Sequence, residues 1–388
     1  MSRFHSYINR SKELLASYSG AEPFAHYLKN YFSANKKFGS RDRKIIAHLC
    51  YSSFRLGRLM KDDEMEERIL AGVFLCSNTS NELLEAVKPE WNAQVELSVD
   101  DKLQLLQLKT TSLFPYVDRL SDGIDAEAFC KSHFIQPDLF LRIRPGNKEI
   151  VLQKLHEANL AFELKGEDCI ALPNNSKVDE VVKLNKEAVV QDYSSQRVGV
   201  LLSNHKAEFG NRRWNVWDCC AASGGKSIMV NDVLSAVDLT VSDVRESILI
   251  NLKKRFAEAG INRYKSFVAD IAADQYQLPA NSFDLIIADV PCSGSGTWGR
   301  TPEQMHYFQQ SSIEAFSDLQ KKISGNAMRQ LKTGGYFLYI TCSVYKQENE
   351  EVVKHLTDHH PMEIVQQEVI KGYHQKADTM FAALMRKL

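Results

Sequence analysis

The sequence predicts an α/β protein in which a doubly wound parallel sheet follows a small α+β module and an amino-terminal helical bundle. Three observations carry this reading. From about residue 186 onward, apolar strand-like runs alternate with helical segments; from about 131 to 185, short strands flank one helix; and residues 1 to about 130 show helical periodicity with almost no β-branched runs. At 388 residues the chain exceeds what one core usually organises, so two or three domains are expected, divided at 1–130, 131–185 and 186–388.

Taken in order, the helical region shows apolar faces at Leu14, Leu15 and Tyr18 and again at Ile45, Ile46, Leu49 and Cys50. Between Lys29 and Arg58 it carries Lys29, Lys36, Lys37, Arg41, Arg43, Lys44, Arg55 and Arg58 against the single acid Asp42, and the acidic stretch Asp62 to Glu67 follows. Such a patch suits phosphate neutralisation, although charge runs are commonly just solvated helix faces. Tyr27, Tyr31, Phe32, Phe38 and Tyr51 interleave with the charges, and most are expected in the core. The middle module reads as strands Leu139 to Ile143, Phe162 to Leu164 and Cys169 to Leu172 around a helix from about Lys148 to Asn159. The parallel strands are expected at Trp214 to Cys220, Leu239 to Asp243, Ser266 to Asp270, Leu285 to Asp289 and Tyr336 to Thr341.

Composition narrows the class. Hydrophobic content of 44% and charged content of 25% exclude a disordered or collagen-like chain. The amino terminus lacks the apolar core of a targeting segment, and the run Leu70 to Cys76 is too short to span a bilayer, so a cytoplasmic protein without membrane partners is expected. The eight cysteines include no C-x-x-C pair, which fits free thiols in a reducing compartment and no metal. A monomer is expected.

The first parallel strand leads into Cys220-Ala221-Ala222-Ser223-Gly224-Gly225-Lys226-Ser227 and a helix. Small residues let backbone approach a ligand, and the helix amino terminus offers unpaired N–H groups. A P-loop would need glycine where Cys220 stands, and the G-x-G-x-x-G fingerprint is absent. An adenosyl cofactor, S-adenosylmethionine, remains favoured. Asp243 ends the second strand about 20 residues beyond the loop, where a carboxylate accepts from ribose hydroxyls. Asp270 and Asp289 end the third and fourth strands, Asp270 suited to accept from an adenine amino group. Any one of these acids could simply cap a helix or turn.

Two cysteines in separate strand-end loops then select the chemistry: Asp289-Val290-Pro291-Cys292-Ser293-Gly294-Ser295-Gly296 and Thr341-Cys342-Ser343. Carbon 5 of cytosine is too weak a nucleophile to take a methyl group directly. A thiolate must first add to carbon 6, and after methyl transfer the carbon 5 proton and the thiolate must leave. Asp289 is placed to grip the N3 and N4 edge of the base. A free thiol, of pKa about 8.5, needs help to ionise, for which Lys226 and nearby helix amino termini are candidates. Cys50, Cys76, Cys130, Cys169 and Cys219 are expected as core residues, and Cys220 as loop backbone.

The segments Asp218 to Lys226, Asp289 to Gly296 and Thr341-Cys342-Ser343, with Gln347-Glu348-Asn349-Glu350 following, resemble the signature motifs of the RNA cytosine-5 methyltransferases, the RsmB/Sun family; Gln191-Asp192-Tyr193-Ser194-Ser195-Gln196 also resembles a family segment. The resemblance covers roughly residues 135 to 388. It implies a Rossmann-like class I methyltransferase sheet, with Cys342 as nucleophile, Cys292 releasing product, and the cofactor on the Cys220 to Lys226 loop, Asp243, Asp270 and Asp289. Ala25 to Leu59 looks like part of a NusB-like RNA-binding domain, and Pro137 to Arg142 resembles the start of an RRM-like module. Because the chain ends shortly after Phe381, the single-site 16S rRNA type is favoured, with 16S rRNA or an assembling small ribosomal subunit as partner. Ser223 stands where proline is usual, and Trp298-Gly299-Arg300 where a Leu-Arg-Arg-like stretch is frequent. A tRNA cytosine-5 methyltransferase, a non-catalytic RNA-binding ribosome-assembly factor, and a methyltransferase for a small molecule or protein amine remain as alternatives.

Overall fold

The computed structural model describes residues 3–205, 212–234, 236–273, 276, 278 and 280–388. Two compact units divide the chain: Met1–Leu120, Asp125–Gln136 and Thr297–Gln310 form the first, and Ser121–Ile124, Pro137–Gly296 and Ser311–Leu388 form the second.

The first unit is helical, led by Arg3–Ser17, Phe24–Ala34, Ser40–Arg55 and Met65–Cys76. Ile8, Leu14, Phe24, Ile46, Leu49, Ile69 and Phe74 supply its buried core. Helix starts are capped where the sequence offers a short polar side chain, as Asn81 accepts from Leu84 N, Ser98 from Asp101 N and Asp125 from Ala128 N. Gly72 is required by a close crossing, since a Cβ there would lie 2.3 Å from the Ser52 carbonyl oxygen. The segment Thr297–Gln310 belongs to this unit although it follows the Cys292 loop in the chain. Trp298 is buried against Phe114 and Phe308, Glu303 accepts from Phe24 N at 3.2 Å, and Tyr307 donates to the Tyr18 carbonyl at 2.7 Å.

The basic run divides by role. Lys29, Lys36, Lys37, Arg41 and Lys44 are exposed. Arg55 is buried instead and donates to the carbonyls of His133 and Ile135 and to Gln136 Oε1, acting as an internal clasp. The interleaved aromatics pack into or against the helical core, as their spacing predicts.

The second unit contains two sheets. A four-stranded antiparallel sheet has order β2-β3-β1-β4, with β1 Leu139–Ile143, β2 Glu163–Leu164, β3 Cys169–Leu172 and β4 Ala188–Val190. The helix Lys148–Glu157 covers one face through Val151 and Leu155. The fourth strand runs past residue 185 and lies ahead of the helix Tyr193–Asn204.

A seven-stranded sheet has order β10-β11-β9-β8-β5-β6-β7, comprising β5 Trp214–Asp218, β6 Val237–Asp243, β7 Tyr264–Val268, β8 Phe283–Asp289, β9 Leu331–Thr341, β10 Met362–Ile370 and β11 Met380–Lys387. Strands β5 to β9 pair in parallel, whereas β11 pairs antiparallel to β9 and to β10. This is the expected doubly wound class, with an antiparallel hairpin at one edge. On one face Val216, Val241, Ile287 and Leu338 pack on the helices Tyr193–Asn204, Gly225–Leu234 and Glu246–Ala259. On the other, Trp217, Ile286, Phe337 and Tyr339 pack on Ser311–Met328 and Glu350–His359. Burial on both faces explains the uninterrupted apolar runs. Chain order reverses at β5, between β8 and β6, so the crevice at the carboxyl ends of these strands is the expected ligand position.

The small sheet is fastened to the larger one by charge. Asp232, on the helix Gly225–Leu234, accepts from Arg142 Nη1 at 2.7 Å and from Arg144 Nη2 at 2.7 Å.

Candidate active site

The loop after β5 owes its shape to particular residues. Ala222 has φ +45° and Gly224 φ +85°, and a Cβ on Gly224 would also lie 2.6 Å from the Phe256 ring. Only glycine meets both conditions cheaply. Ala221 N donates to the Ser242 carbonyl at 2.9 Å, which ties the loop to β6. Where proline would stiffen the turn, Ser223 accepts from Arg255 Nη1 through both its carbonyl (3.1 Å) and its hydroxyl (2.7 Å). The loop then enters the helix Gly225–Leu234, whose first turn is a ready site for anionic or polar ligand groups. Gly225 leaves open space there, since a Cβ would meet only Arg255 Nη1, at 4.0 Å.

The three strand-end acids occupy different surroundings. Asp243 is buried at the end of β6; its Oδ2 accepts from Ala222 N at 3.0 Å, and its Oδ1 accepts from Arg245 N at 3.0 Å and Nε at 3.2 Å. One carboxylate thus joins the cofactor-type loop to the β6 end. Asp289, at the end of β8, accepts from Lys226 Nζ at 3.1 Å, and the same ammonium donates to Ser195 Oγ at 2.7 Å. Lys226 is therefore committed to a carboxylate and a hydroxyl. Asp270 lies two residues beyond β7, is exposed, and accepts from Ala272 N and Ala273 N through Oδ1, the turn-capping geometry open to any strand-end Asp. A fourth acid, Asp218, is fully buried at the end of β5 and accepts from Ser227 Oγ at 2.6 Å; burial pushes its carboxyl up from 3.8 to about 7.

The two cysteine loops meet. Cys292 Sγ lies 3.2 Å from Cys342 Sγ. The hydrogen bond with Cys342, then burial, then the charges of Cys342 and Glu348 hold the Cys292 thiol well above its ordinary value. Gly296 allows this approach: Gly296 N donates to the Cys342 carbonyl and Gly296 O accepts from Thr379 N, both at 2.9 Å, and a Cβ would lie 1.9 Å from the Thr379 carbonyl oxygen. Cys219 is buried as expected, and the neighbouring Cys220 thiol is raised by its contact with Cys219 and by burial.

Some residues of this site carry no signal in composition or periodicity. Ser195, Ser293, Ser343, Asn349 and above all Glu348 join the loops by hydrogen bonds. Glu348 and Asn349 lie in the Gln347 to Glu350 stretch, with the acid six residues after Cys342. Among the described residues, no group of three or more His, Cys, Asp or Glu side chains is arranged to hold a metal ion, and no helix is long and apolar enough to cross a membrane.

The family model described as 16S rRNA methyltransferase RsmB/F matches residues 199–386. The chain is 26% identical over 273 residues to the probable ribosomal RNA small subunit methyltransferase B of Bacillus subtilis, covering 68% of this chain and 60% of that protein. It is 29% identical over 221 residues to ribosomal RNA small subunit methyltransferase B of Vibrio vulnificus, covering 56% and 50%. The chain thus spans half to three fifths of the length of these relatives. In fold it resembles the crystal structure of PH0851, with a TM-score of 0.72 at 19% identity over 99% of this chain and 98% of the other. Over residues 199–386 the chain is thus similar to the 16S rRNA methyltransferases RsmB/F, the family to which its sequence motifs point.

Proposed function

We propose that the protein transfers a methyl group from S-adenosylmethionine to carbon 5 of a cytosine in RNA, with 16S rRNA or an assembling small subunit as substrate, through a covalent adduct with Cys342. The observation that carries this reading is the pair of thiols 3.2 Å apart, beyond a strand end that presents Asp289. The names of the family and of its relatives support rRNA as the class of substrate.

The residues present fit the cofactor. Asp243 keeps lone pairs for ribose hydroxyls, Gly224 and Gly225 keep the loop free of side chains, and the helix amino terminus faces the same end of the sheet. When bound, S-adenosylmethionine supplies an electrophilic methyl group on a sulfonium. The chain's own groups do the rest. Asp289, oriented by Lys226, holds the N3 and N4 edge of the base. The Cys342 thiolate adds to carbon 6, forming a carbon–sulfur bond and directing electron density to carbon 5. After carbon 5 is methylated, loss of its proton to a base returns the electron pair to the ring and expels the thiolate; Cys292 assists this release. The exposed cations Lys29, Lys36, Lys37 and Lys44 suit the RNA backbone.

The test is incorporation of labelled methyl from S-adenosylmethionine into purified 16S rRNA, followed by nucleoside analysis. Label in 5-methylcytidine supports the proposal. Label in tRNA only, in no RNA, or in another nucleoside overturns it in favour of a tRNA enzyme, an assembly factor or a different methylation.

A further inference from the structure

We propose that Glu348 is the positioning residue of the thiol pair: its one carboxylate ties the Cys292 loop to the Cys342 loop and keeps a negative charge beside Cys292. The inference rests on reading both thiols as the reacting groups. Glu348 ends the turn Lys346–Glu348 and is completely buried. Its Oε2 accepts from Ser293 N at 2.8 Å, and its Oε1 accepts from Ser343 Oγ at 2.6 Å. Ser293 follows Cys292 and Ser343 follows Cys342, so one side chain spans the two loops beside their sulfurs. Gln320 closes the clamp from the helix Ser311–Met328, donating to Glu348 Oε2 and to the Pro291 carbonyl, both at 3.0 Å. Tyr339 on β9 donates to the Glu348 carbonyl at 2.6 Å, and Gln320 Oε1 lies 3.1 Å from the same hydroxyl.

Burial raises the Glu348 carboxyl above its ordinary value, and the hydrogen bonds from Ser293 N, Ser343 Oγ and Gln320 Nε2 oppose that shift by stabilising the ionised form. Among the described residues no salt bridge neutralises it. A tie alone would not need the charge, because a neutral amide can also bridge loops; an unneutralised buried anion is costly to keep. Its effect falls on Cys292, whose thiol is raised by Cys342, by burial and by Glu348. A thiol kept protonated beside the attacking one does not compete for carbon 6.

The ionisable groups around Cys292 are Cys342, Glu348 and Tyr339. The experiment measures iodoacetamide alkylation of Cys292 against pH by mass spectrometry, without RNA or cofactor, in Cys342→Ser protein with and without Glu348→Gln. The midpoint should fall by about one pH unit or more when the charge is removed; an unchanged midpoint overturns the proposal. Ser343→Ala separates tie from charge, and carries the decision if Glu348→Gln does not accumulate folded. In that variant kcat for methylation should fall by about tenfold or more, with KM for S-adenosylmethionine within about twofold. Unchanged kcat overturns the tie. If unmodified protein fails to methylate RNA, the enzymatic reading fails, while the alkylation midpoint still decides the role of Glu348.

Discussion

Replacing Asp232 by Ala strips the joint between the small sheet and the helix that begins at the cofactor-type loop. The side chains of Asp232, Arg142 and Arg144 are only 6%, 9% and 12% exposed, so the substitution leaves two guanidinium groups facing each other in a poorly hydrated site. Breaking a buried pair by removing one partner costs about 3–5 kcal/mol. Two features pull toward the lower end. Arg142 retains Gln191 Oε1 at 2.8 Å, and Arg144 retains the carbonyls of Asn185 and Ala259. Alanine also favours the helix over Asp by about 0.5 kcal/mol. The expected net loss is about 3 kcal/mol, or roughly 6–12 °C in Tm for a unit of this size. Urea and thermal unfolding followed by tryptophan fluorescence would measure it, since Trp214 and Trp217 lie on β5 of the same unit. The loss should persist in high salt, because buried pairs are weakly screened. A change below about 1 kcal/mol would show that the triad carries no net stabilising interaction and would refute the reasoning.

Gly296→Ala should destabilise by about 2–5 kcal/mol, from overpacking against the Thr379 carbonyl and two weakened backbone hydrogen bonds, and should abolish the close contact of the thiols; wild-type stability would mean that the loop relaxes freely. Asp243→Ala should weaken S-adenosylmethionine binding by about tenfold or more in calorimetry while leaving RNA affinity unchanged, and equal losses of both would count against its ribose role. Asp218 gives a pH signature. Its folded pKa of about 7 lies above its ordinary 3.8, so the folded state holds more protons between these values and its contribution to stability is lost as pH rises toward 7. Asp218→Asn removes that dependence, so its stability relative to wild type should rise between about pH 5 and about pH 8; a constant difference would contradict the assignment.

The core of the parallel sheet was legible because strands buried on both faces leave continuous apolar runs, as in Leu285 to Ala288. Strand ends were less so. β7 closes at Val268 rather than Asp270, since the turn that Asp270 caps carries no apolar signal. β10 alternates little and carries Glu363, Gln366, Gln367 and Glu368 on a sheet edge, where polar side chains hide a strand. The three-residue β4 is too short for any period to register. Arg55 read as part of a basic face, and only tertiary packing reveals its carbonyl partners. The same holds for Thr297–Gln310, which packs with a helical unit far from it in sequence. At the site, the loop, Lys226, the acids and both cysteines stood out by type and position. The clamp of Glu348, Ser293 and Ser343 did not, because serine and glutamate near a turn are ordinary until their partners are known.

The most direct measurement mixes Cys292→Ala protein with S-adenosylmethionine and 16S rRNA and looks for a protein–RNA adduct on a denaturing gel. The account predicts an adduct that persists in Cys292→Ala and is absent when Cys342 is also replaced by Ala. Methylated RNA with no adduct, or an adduct that survives loss of Cys342, would contradict the assignment of Cys342 as nucleophile and Cys292 as the releasing group.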